Sequence, residues 1–345
     1  MNQRLMPEPK SVSVIIPTYN AQSTLAECLR SVIATGYPRI EVIVVDDIST
    51  DATAEIALDF AARHPEIVRY LKLPVKSGPA RGRNAGAAIA RGELLFFLDS
   101  DTSMEVLALS RFAQTIENAD AVVGIYAAEP LNKGWVPRYK AYLNNYFFAR
   151  NGVVRYEVFD ASRAGIRADV FRALSGFNET LQWGMDFENE ELGYRINQQY
   201  RMLLDPAIEV RHHFPEFAKL TRTYFTRVGQ WMEIFLLRRK FESAGVTSAE
   251  TGISTAALLA AFGFALIAPV VPFAGWAALV PLVVYLYGYA GFYVYVARRR
   301  IGYLPVAILL NSYFTGVLAC GAAVGALRVV SGRSDMHRII QDQHL

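Results

Sequence analysis

The sequence predicts an α/β fold with a doubly wound, mainly parallel sheet, followed by a C-terminal all-α transmembrane region. From Val12 to Leu98, short β-branched runs alternate with helical patterns, which is typical of a parallel sheet covered on both faces. The 47 residues from Thr251 to Ala297 contain no charged side chain, and about 20 apolar residues suffice to span a bilayer as a helix. We therefore expect one globular domain and a membrane-embedded part.

The first unit of the predicted sheet is a strand, a loop and a helix. Val12 to Ile16 is a short β-branched run, and Pro-Thr-Tyr-Asn follows it. Thr24 and Glu27 have the spacing of a capping box, which predicts a helix that ends at about Thr35. Strand, loop and helix in this order are the repeating unit of an α/β sheet.

The same unit recurs further along the chain. Ile40 to Val45 is followed by an aspartate-rich loop and by an alanine-rich helix to about His64. The alternation continues through Val68 to Leu73, Ala85 to Arg91 and Leu94 to Leu98. The recurrence supports a doubly wound domain rather than separate sheets and helices.

Polar residues follow three of the predicted strands. They are Tyr19-Asn20, Asp46-Asp47 and Asp99-Ser100-Asp101. Because ligands bind beyond the carboxyl ends of parallel strands, we expect these residues to share one crevice. Neither GxGxxG nor GxxxxGK[ST] follows the first strand, so a Rossmann dehydrogenase and a P-loop NTPase are disfavoured.

The charges indicate a membrane rather than nucleic acid as partner. The formal net charge is +3, but the basic residues form no stripe interleaved with aromatics, and no nucleic acid is expected. They gather beside the apolar stretch: Arg222, Arg227, Arg238, Arg239 and Lys240 precede it, and Arg298, Arg299 and Arg300 follow it. The positive-inside rule places these clusters, and the large domain with them, in the cytoplasm.

Other features of the chain agree with that compartment. The first ten residues lack the apolar core of a secretory signal. Cys28 and Cys320 are the only cysteines, which favours a reducing environment over a disulfide framework.

A second uncharged stretch, Ile301 to Leu327, predicts one more crossing or a re-entrant pair. We expect about three spans in total. The predicted organisation is a globular domain at 1–217, an interfacial amphipathic helix region at 218–245, transmembrane helices at 246–330 and a polar tail at 331–345.

Asp99 and Asp101 come directly after the apolar run Leu94 to Leu98. Mg²⁺ and Mn²⁺ are bound by one or two carboxylates together with phosphate oxygens, so the pair suits a metal that neutralises a diphosphate. The alternative is structural: the two aspartates end a strand and cap a helix that begins near Met104.

Four segments in order resemble the family 2 glycosyltransferases of the GT-A fold. They are Val12 to Asn20, Val45 to Asp51, Gly78 to Gly86 and Leu98 to Asp101. The resemblance extends over about Val12 to Trp231, and it implies a GT-A type sheet and a nucleotide-sugar donor.

The resemblance also implies site residues. Donor binding would fall to Pro17, Tyr19, Asp47, Arg83 and Asp99, and metal binding to Asp101 and His212, with Mg²⁺ or Mn²⁺ as cofactor. Tyr19 and Asp47 would contact the base, because a tyrosine ring stacks on a base and a carboxylate accepts from a base N–H. Arg83 would contact the base or the diphosphate, and Asp99 the ribose. A structural role for His212 remains open.

Asn189 departs from the family pattern. The segment from Glu188 to Arg195 resembles the acceptor-side segment of the family, and Asn189 stands where the general base is an aspartate. An amide cannot accept a proton at neutral pH. The expected base is therefore Glu188, with Asp186 and Glu190 as alternatives, unless the acceptor is already an anion.

The predicted function is an inverting, metal-dependent hexosyl transfer from a nucleotide-sugar, with a UDP-sugar favoured, to a hydroxyl of a lipid or lipid-linked saccharide. It would take place at the cytoplasmic face of the inner membrane, by a multi-pass protein of cell-envelope or exopolysaccharide assembly. One alternative is a polyprenyl-phosphate glycosyltransferase. A non-enzyme alternative is an inactive GT-A-fold membrane scaffold. The sequence predicts neither the sugar nor the oligomeric state.

Overall fold

The computed structural model describes residues 8–181, 187–238 and 249–333. Within these residues the strands are β1 Val12–Thr18, β2 Ile40–Asp46, β3 Val68–Lys72, β4 Leu94–Leu98, β5 Thr102–Met104, β6 Ala121–Tyr126, β7 Val154–Arg155, β8 Arg163–Arg167 and β9 Met202–His212.

The α-helices of the described residues follow the same chain order. They are α1 Leu25–Ala34, α2 Thr53–Arg63, α3 Pro79–Ile89, α4 Ala108–Thr115, α5 Trp135–Ala149, α6 Ala168–Ala173, α7 Phe187–Gln199, α8 Phe217–Arg238, α9 Ala249–Ile267, α10 Pro272–Ala277, α11 Leu279–Gly288, α12 Ala290–Arg300 and α13 Leu304–Val330. Short 3₁₀ turns occupy Ile116–Asn118 and Ile301–Tyr303.

The strands form one mixed sheet in the order β3-β2-β1-β4-β8-β6-β9-β5, with β7 also paired to β9. The first four strands of this order are mutually parallel. β8 runs antiparallel between β4 and β6, whereas β6 and β9 are parallel. The predicted α/β class and mainly parallel sheet are confirmed, and the antiparallel β8 was not predicted.

The centre of the sheet is covered on both faces. Every residue of β4 is buried, as expected for a strand with helices on both sides. Helix α3 lies so close to the sheet that a Cβ on Gly86 would be 2.5 Å from Ile15 Cγ2 and 3.0 Å from Val45 Cγ2. The absence of a side chain at Gly86 therefore allows this helix to approach β1 and β2.

Two local expectations need correction. Helix α1 begins where predicted, but the Thr24 side chain makes no capping hydrogen bond to the helix. The helix of the structural alternative begins at Ala108 rather than near Met104, because Thr102–Met104 is β5 and pairs with β9. Edge pairing with a strand about 100 residues away overrides the local helix signal.

The chain divides into two compact units, each with its own core. The first contains residues up to Ala127 and residues 151–213, and the second contains 128–150 and the residues from Phe214 onward. The expected end of the globular domain at 217 lies near the division after His213. Helix α5, which precedes that division in sequence, belongs to the second unit.

The second unit has an aromatic core. Tyr139 and Phe147 of α5 are buried, together with Tyr285, Phe292 and Phe314 from α11, α12 and α13. Tyr139 stacks on Phe314 with ring centroids 5.5 Å apart. These buried aromatic residues serve as packing groups, whereas Trp276 and Tyr287 of the same stretches are exposed.

Helices α8 and α13 of this unit meet at a glycine seam. A Cβ on Gly325 would lie 2.1 Å from the Gly229 carbonyl oxygen, and a Cβ on Gly321 would lie 2.4 Å from the Phe225 carbonyl oxygen. Small residues let helix backbones approach closely where packing rather than burial from water drives association. The helix predicted to lie at the membrane interface thus packs along α13, with Arg222 exposed.

Two stretches of the described residues, Ala249–Ile267 and Ala290–Val330, are long and apolar enough to cross a membrane by length and composition. Pro272–Gly288 between them is a shorter apolar stretch. Large apolar side chains are exposed along this region, among them Leu266 and Val270. An exposed apolar surface of this kind suits an apolar environment. The number of spans stays a prediction.

Candidate functional site

The predicted site residues lie at the carboxyl ends of three adjacent parallel strands. Tyr19 follows β1, Asp47 follows β2, and Asp99 to Asp101 link β4 to β5. The sheet order β2-β1-β4 makes these strand ends neighbours. The predicted residues therefore lie at the edge of the sheet where a crevice is expected.

The loops after β1 and β2 are tied together by polar contacts. Asn20 Oδ1 accepts from Thr50 N at 2.9 Å, and Ser49 Oγ accepts from Asn20 N at 3.0 Å. Ile48 has φ of 61°, a left-handed conformation that is strained for a β-branched side chain. Such strain clusters at functional sites, where the surrounding contacts hold it.

Two predicted base-binding residues contact the loop before α3. The Tyr19 ring is 44% exposed, and Lys76 Nζ lies 3.5 Å from its centroid. Asp47 is buried, and its carboxylate accepts from Ser77 N at 2.6 Å and from Gly78 N at 2.8 Å. Both residues are thus brought to one place, and both already have partners there.

Pro17 is half-buried near the end of β1. A Cβ on Gly82 of α3 would lie 3.3 Å from Pro17 Cβ. Pro17 therefore packs against the first turns of α3, beneath the strand end that carries Tyr19.

Arg83 joins Asp99, at the end of β4, to Glu188 of α7. Its Nη2 donates to Asp99 Oδ1 at 3.0 Å, and its Nη1 donates to Glu188 Oε1 at 3.1 Å. Arg83 and Glu188 side chains are 4% and 6% exposed, whereas that of Asp99 is 34% exposed. Burial raises the pKa of Asp99 above its ordinary value, although the charge of Arg83 opposes that shift.

Arg83 also has capacity left for a further acceptor. Within the described residues its buried Nε has no hydrogen-bond partner. A guanidinium suits planar, bidentate recognition of carboxylates and phosphates. The guanidinium therefore bridges Asp99 and Glu188 and keeps one buried donor for a further acceptor.

Asp101 and His212 form the second cluster. Because Thr102 pairs with His212 across β5 and β9, His212 Nε2 lies 3.4 Å from Asp101 Oδ1. His213 N donates to the Asp101 carbonyl oxygen at 3.0 Å. Burial acts to raise the pKa of Asp101, but the hydrogen bond and charge of His212 outweigh it and lower that pKa.

This pair fits a divalent cation in part. A carboxylate oxygen suits Mg²⁺ and Mn²⁺, and an imidazole nitrogen is a less typical ligand. Among the described residues there is no group of three or more His, Cys, Asp or Glu that could hold a metal. Further ligands would have to be oxygens of a bound diphosphate, which is the usual arrangement for Mg²⁺ beside nucleotides.

The acid-rich segment opens helix α7. Asn189 is buried, and its Oδ1 accepts from Ala161 N at 3.3 Å. Glu190 is half-buried on the same helix, and Asp186 lies outside the described residues. The side chain that replaces the expected aspartate therefore serves to hold the chain around Ala161.

A further acid, Asp160, lies next to the site and was not revealed by the sequence. Asp160 Oδ1 accepts from Ser162 Oγ at 2.6 Å, and Asp160 pairs with the buried Arg163. Ser162 also contacts Tyr126 Oη at 2.7 Å, and its carbonyl oxygen accepts from Asp99 N at 3.4 Å. Burial opposes ionisation of Asp160, but the charge of Arg163 outweighs it and lowers the pKa.

Nothing in the local sequence distinguishes Asp160 from a loop aspartate. The only available signal is the Asp-Ala-Ser-Arg order, in which acid and base are three residues apart. The placement depends on β8, which begins at Arg163 and pairs with β4.

Comparison with known proteins matches part of the chain to one family. Residues 13–174 match the family described as Glycosyl transferase family 2. The glycosyltransferase GlyG of Streptococcus pneumoniae is 35% identical over 117 residues, which are 33% of this chain and 38% of the relative. The succinoglycan biosynthesis protein ExoO of Rhizobium meliloti is 35% identical over 132 residues, which are 38% of this chain and 36% of the relative. The chain thus spans just over a third of the length of these curated relatives.

A solved structure shares the fold. The mannosyltransferase PcManGT from Pyrobaculum calidifontis, solved in complex with GDP-Man and Mn²⁺, has a TM-score of 0.58 at 17% sequence identity. The similarity covers 95% of this chain and 89% of that one. Residues 13–174 thus match a glycosyl transferase family 2 domain, and the sheet shares the GT-A fold of that solved structure.

Proposed function

We propose that this protein is an inverting glycosyltransferase that moves a hexosyl group from a nucleotide-sugar, with a UDP-sugar favoured, to a hydroxyl of a lipid or lipid-linked saccharide. The observation that carries the proposal is the cluster at the end of β4. There Arg83, Asp99 and Glu188 are in contact, and Asp101 lies beside His212.

The donor half of the proposal rests on residues that follow the carboxyl ends of adjacent strands. Tyr19 offers an aromatic face for a base, and Asp47 offers carboxylate oxygens for a base N–H. Asp99, which is one-third exposed, would accept from ribose hydroxyls. Asp101 and His212 would hold Mn²⁺ or Mg²⁺ together with diphosphate oxygens. When bound, the metal supplies positive charge for the departing nucleoside diphosphate.

The acceptor half requires a proton acceptor. Arg83 lies between two carboxylates, those of Asp99 and Glu188. If Glu188 takes up a proton, Arg83 still has Asp99 as its counter-ion, and no buried charge is left alone. Protonation of Asp160 would instead leave the buried Arg163 without its carboxylate. We therefore assign the base to Glu188.

The reaction is then a single displacement. The acceptor oxygen forms a bond to the anomeric carbon while the bond from that carbon to the diphosphate breaks. The hydroxyl proton passes to Glu188, and the electron pair of the broken bond leaves with the nucleoside diphosphate. One displacement inverts the configuration, and no covalent enzyme intermediate is needed.

A second candidate function is transfer to a polyprenyl phosphate. Two observations favour it: Asn189 cannot act as base, and Glu188 is held by Arg83. A phosphate oxygen is already an anion, so neither residue would be needed for deprotonation. Mild acid would release the sugar from a lipid-phosphate product and would spare a glycoside made on a hydroxyl.

We further propose a multi-pass inner-membrane protein with a cytoplasmic catalytic domain. The two long apolar helices of the described residues and the basic residues beside the apolar stretches support this proposal. Envelope or exopolysaccharide synthesis is supported by the relative from succinoglycan biosynthesis. Retention in membranes after alkaline carbonate extraction is the expected result, and release of the full chain would contradict it.

The decisive experiment uses the full chain purified in detergent. Labelled UDP-sugars and GDP-sugars are incubated with separated lipid acceptors, with Mn²⁺, with Mg²⁺ and with chelator. Asp101→Ala should abolish transfer and leave the circular dichroism spectrum unchanged. Asp59→Ala, at an exposed site on α2, is the matched control and should behave as wild type. Near-normal turnover in the Asp101→Ala protein would refute the metal role, and no transfer or donor hydrolysis by wild type would favour the scaffold alternative.

A further inference from the structure

One short loop contacts both residues that are proposed to bind the nucleobase. In the segment between β3 and α3, Lys76 Nζ lies 3.5 Å from the Tyr19 ring centroid. The next two backbone N–H groups, those of Ser77 and Gly78, donate to the two oxygens of Asp47. The aromatic face and the carboxylate of the base site are thus engaged by consecutive residues of this loop.

A base that stacks on this face of Tyr19 has to displace the Lys76 ammonium group. The side chain of Lys76 is exposed, and an exposed cation–π contact shifts an equilibrium by only about two- to fivefold. The lysine is therefore held at the site in a weak contact, from which a nucleotide can release it.

Two arginines of the neighbouring helix α3 already have carboxylate partners. Arg83 is bound by two carboxylates, and Arg81 Nε donates to Glu179 at 2.9 Å. Within the described part of the chain, no carboxylate lies in ion-pair distance of Lys76. Lys76 is thus a positive charge at the donor site that remains available for an anion.

We propose that Lys76 binds the diphosphate of the donor, and that its ammonium group moves there from the Tyr19 ring when the base stacks. This inference rests on the proposed nucleotide-sugar function. The ammonium is a compact charge on a flexible four-carbon stem, so it can change partners without movement of the backbone. A charge-assisted hydrogen bond to phosphate is stronger than the exposed ring contact that it replaces.

The test separates the phosphate from the base. Calorimetric titrations of the full chain in detergent with Mn²⁺ compare UDP with uridine and GDP with guanosine. The proteins are wild type, Lys76→Ala, Lys76→Arg and the control Lys72→Ala, which alters an exposed lysine at the end of β3. Lys76→Ala should weaken binding of the diphosphate by about tenfold or more. It should leave nucleoside affinity unchanged or tighten it by up to about fivefold, because a competing group is gone.

The other two variants are controls for charge and for the loss of an exposed lysine. Lys76→Arg and Lys72→Ala should bind both probes as wild type does. Unchanged diphosphate affinity in Lys76→Ala would show that this lysine does not bind the diphosphate. Equal weakening for diphosphate and nucleoside would show that it acts on the base instead. If wild type binds none of the four probes, the nucleotide-sugar function itself fails.

Discussion

The contact between Arg83 and Glu188 allows a catalytic role of Glu188 to be distinguished from a structural one. The perturbation is Glu188→Gln, matched by Arg83→Met. In wild type, Arg83 bridges Asp99 at 3.0 Å and Glu188 at 3.1 Å, and both the arginine and the glutamate are almost fully buried. The two substitutions remove opposite charges from the same contact, so their effects on stability should differ.

The structure sets the expected magnitudes. In Glu188→Gln, Arg83 keeps Asp99, and the amide oxygen still accepts from Nη1, so the loss should be about 0.5–1.5 kcal/mol. In Arg83→Met, Glu188 is left buried without its counter-ion, which costs about 3–5 kcal/mol. For a unit of this size, each kcal/mol lowers Tm by about 2–4 °C. The expected losses are therefore about 1–6 °C for Glu188→Gln and about 6–20 °C for Arg83→Met.

The assay combines thermal unfolding with turnover, both on the full chain in detergent. If Glu188 is the base, Glu188→Gln should retain its fold and lose about 10²- to 10⁴-fold in the rate of transfer to a hydroxyl acceptor. Equal loss of Tm in the two variants would show that Glu188 is mainly the counter-ion of Arg83. Near-normal turnover of Glu188→Gln would refute the base assignment and favour an anionic acceptor.

Two further predictions concern stability. Gly325→Ala should destabilise the helical unit by about 1–3 kcal/mol, because its Cβ would meet the Gly229 carbonyl oxygen at 2.1 Å. The control is Gly316→Ala, whose Cβ would have no atom within 4 Å. This control should be neutral or stabilising by about 1 kcal/mol. Equal Tm values for the two variants in detergent would contradict the glycine seam. Burial acts to raise the pKa of Glu41, but hydrogen bonds from Ser13, Arg91 N and Arg69 outweigh it and lower that pKa. The ionised carboxylate therefore stabilises the fold above its unfolded pKa of about 4.3. This stabilisation is lost as the pH falls through the lowered pKa of the folded state. The stability difference between wild type and Glu41→Gln should therefore be largest near neutral pH and shrink below about pH 4, and a difference that is constant from neutral to acidic pH would contradict it.

Much of the first unit could be predicted because its signals are local. The strands β1, β2 and β4 are short apolar runs, and the residues after them are polar at fixed positions. Parallel strands place their carboxyl ends at one edge, so Asp99 and Asp101 could be assigned to a common crevice without any knowledge of contacts. The capping bond of Thr24 is absent, and the helix expected near Met104 begins at Ala108, since local patterns do not include the tertiary partners that compete with them.

The site residues that were missed depend on long-range pairing. Asp160 lies close to Asp99 because β8 runs antiparallel beside β4, and no local periodicity predicts that partner. Lys76 belongs to a loop without a motif signal, and its contact with Tyr19 spans 57 positions of the chain. Such contacts depend on which strands become neighbours, and the sequence pattern leaves this open.

The sequence by itself determined the α/β class, the order of the strand and helix units and the four motifs of the glycosyltransferase domain. Each of these depends on burial patterns and residue types within a few positions, which are readable along the chain. Only the tertiary structure decided that Glu188 faces Arg83, that Asn189 holds Ala161, and that Asp160 joins the site. The physical reason is that a buried charge is stable only beside a counter-charge, and folding brings these partners together from segments that are remote in sequence.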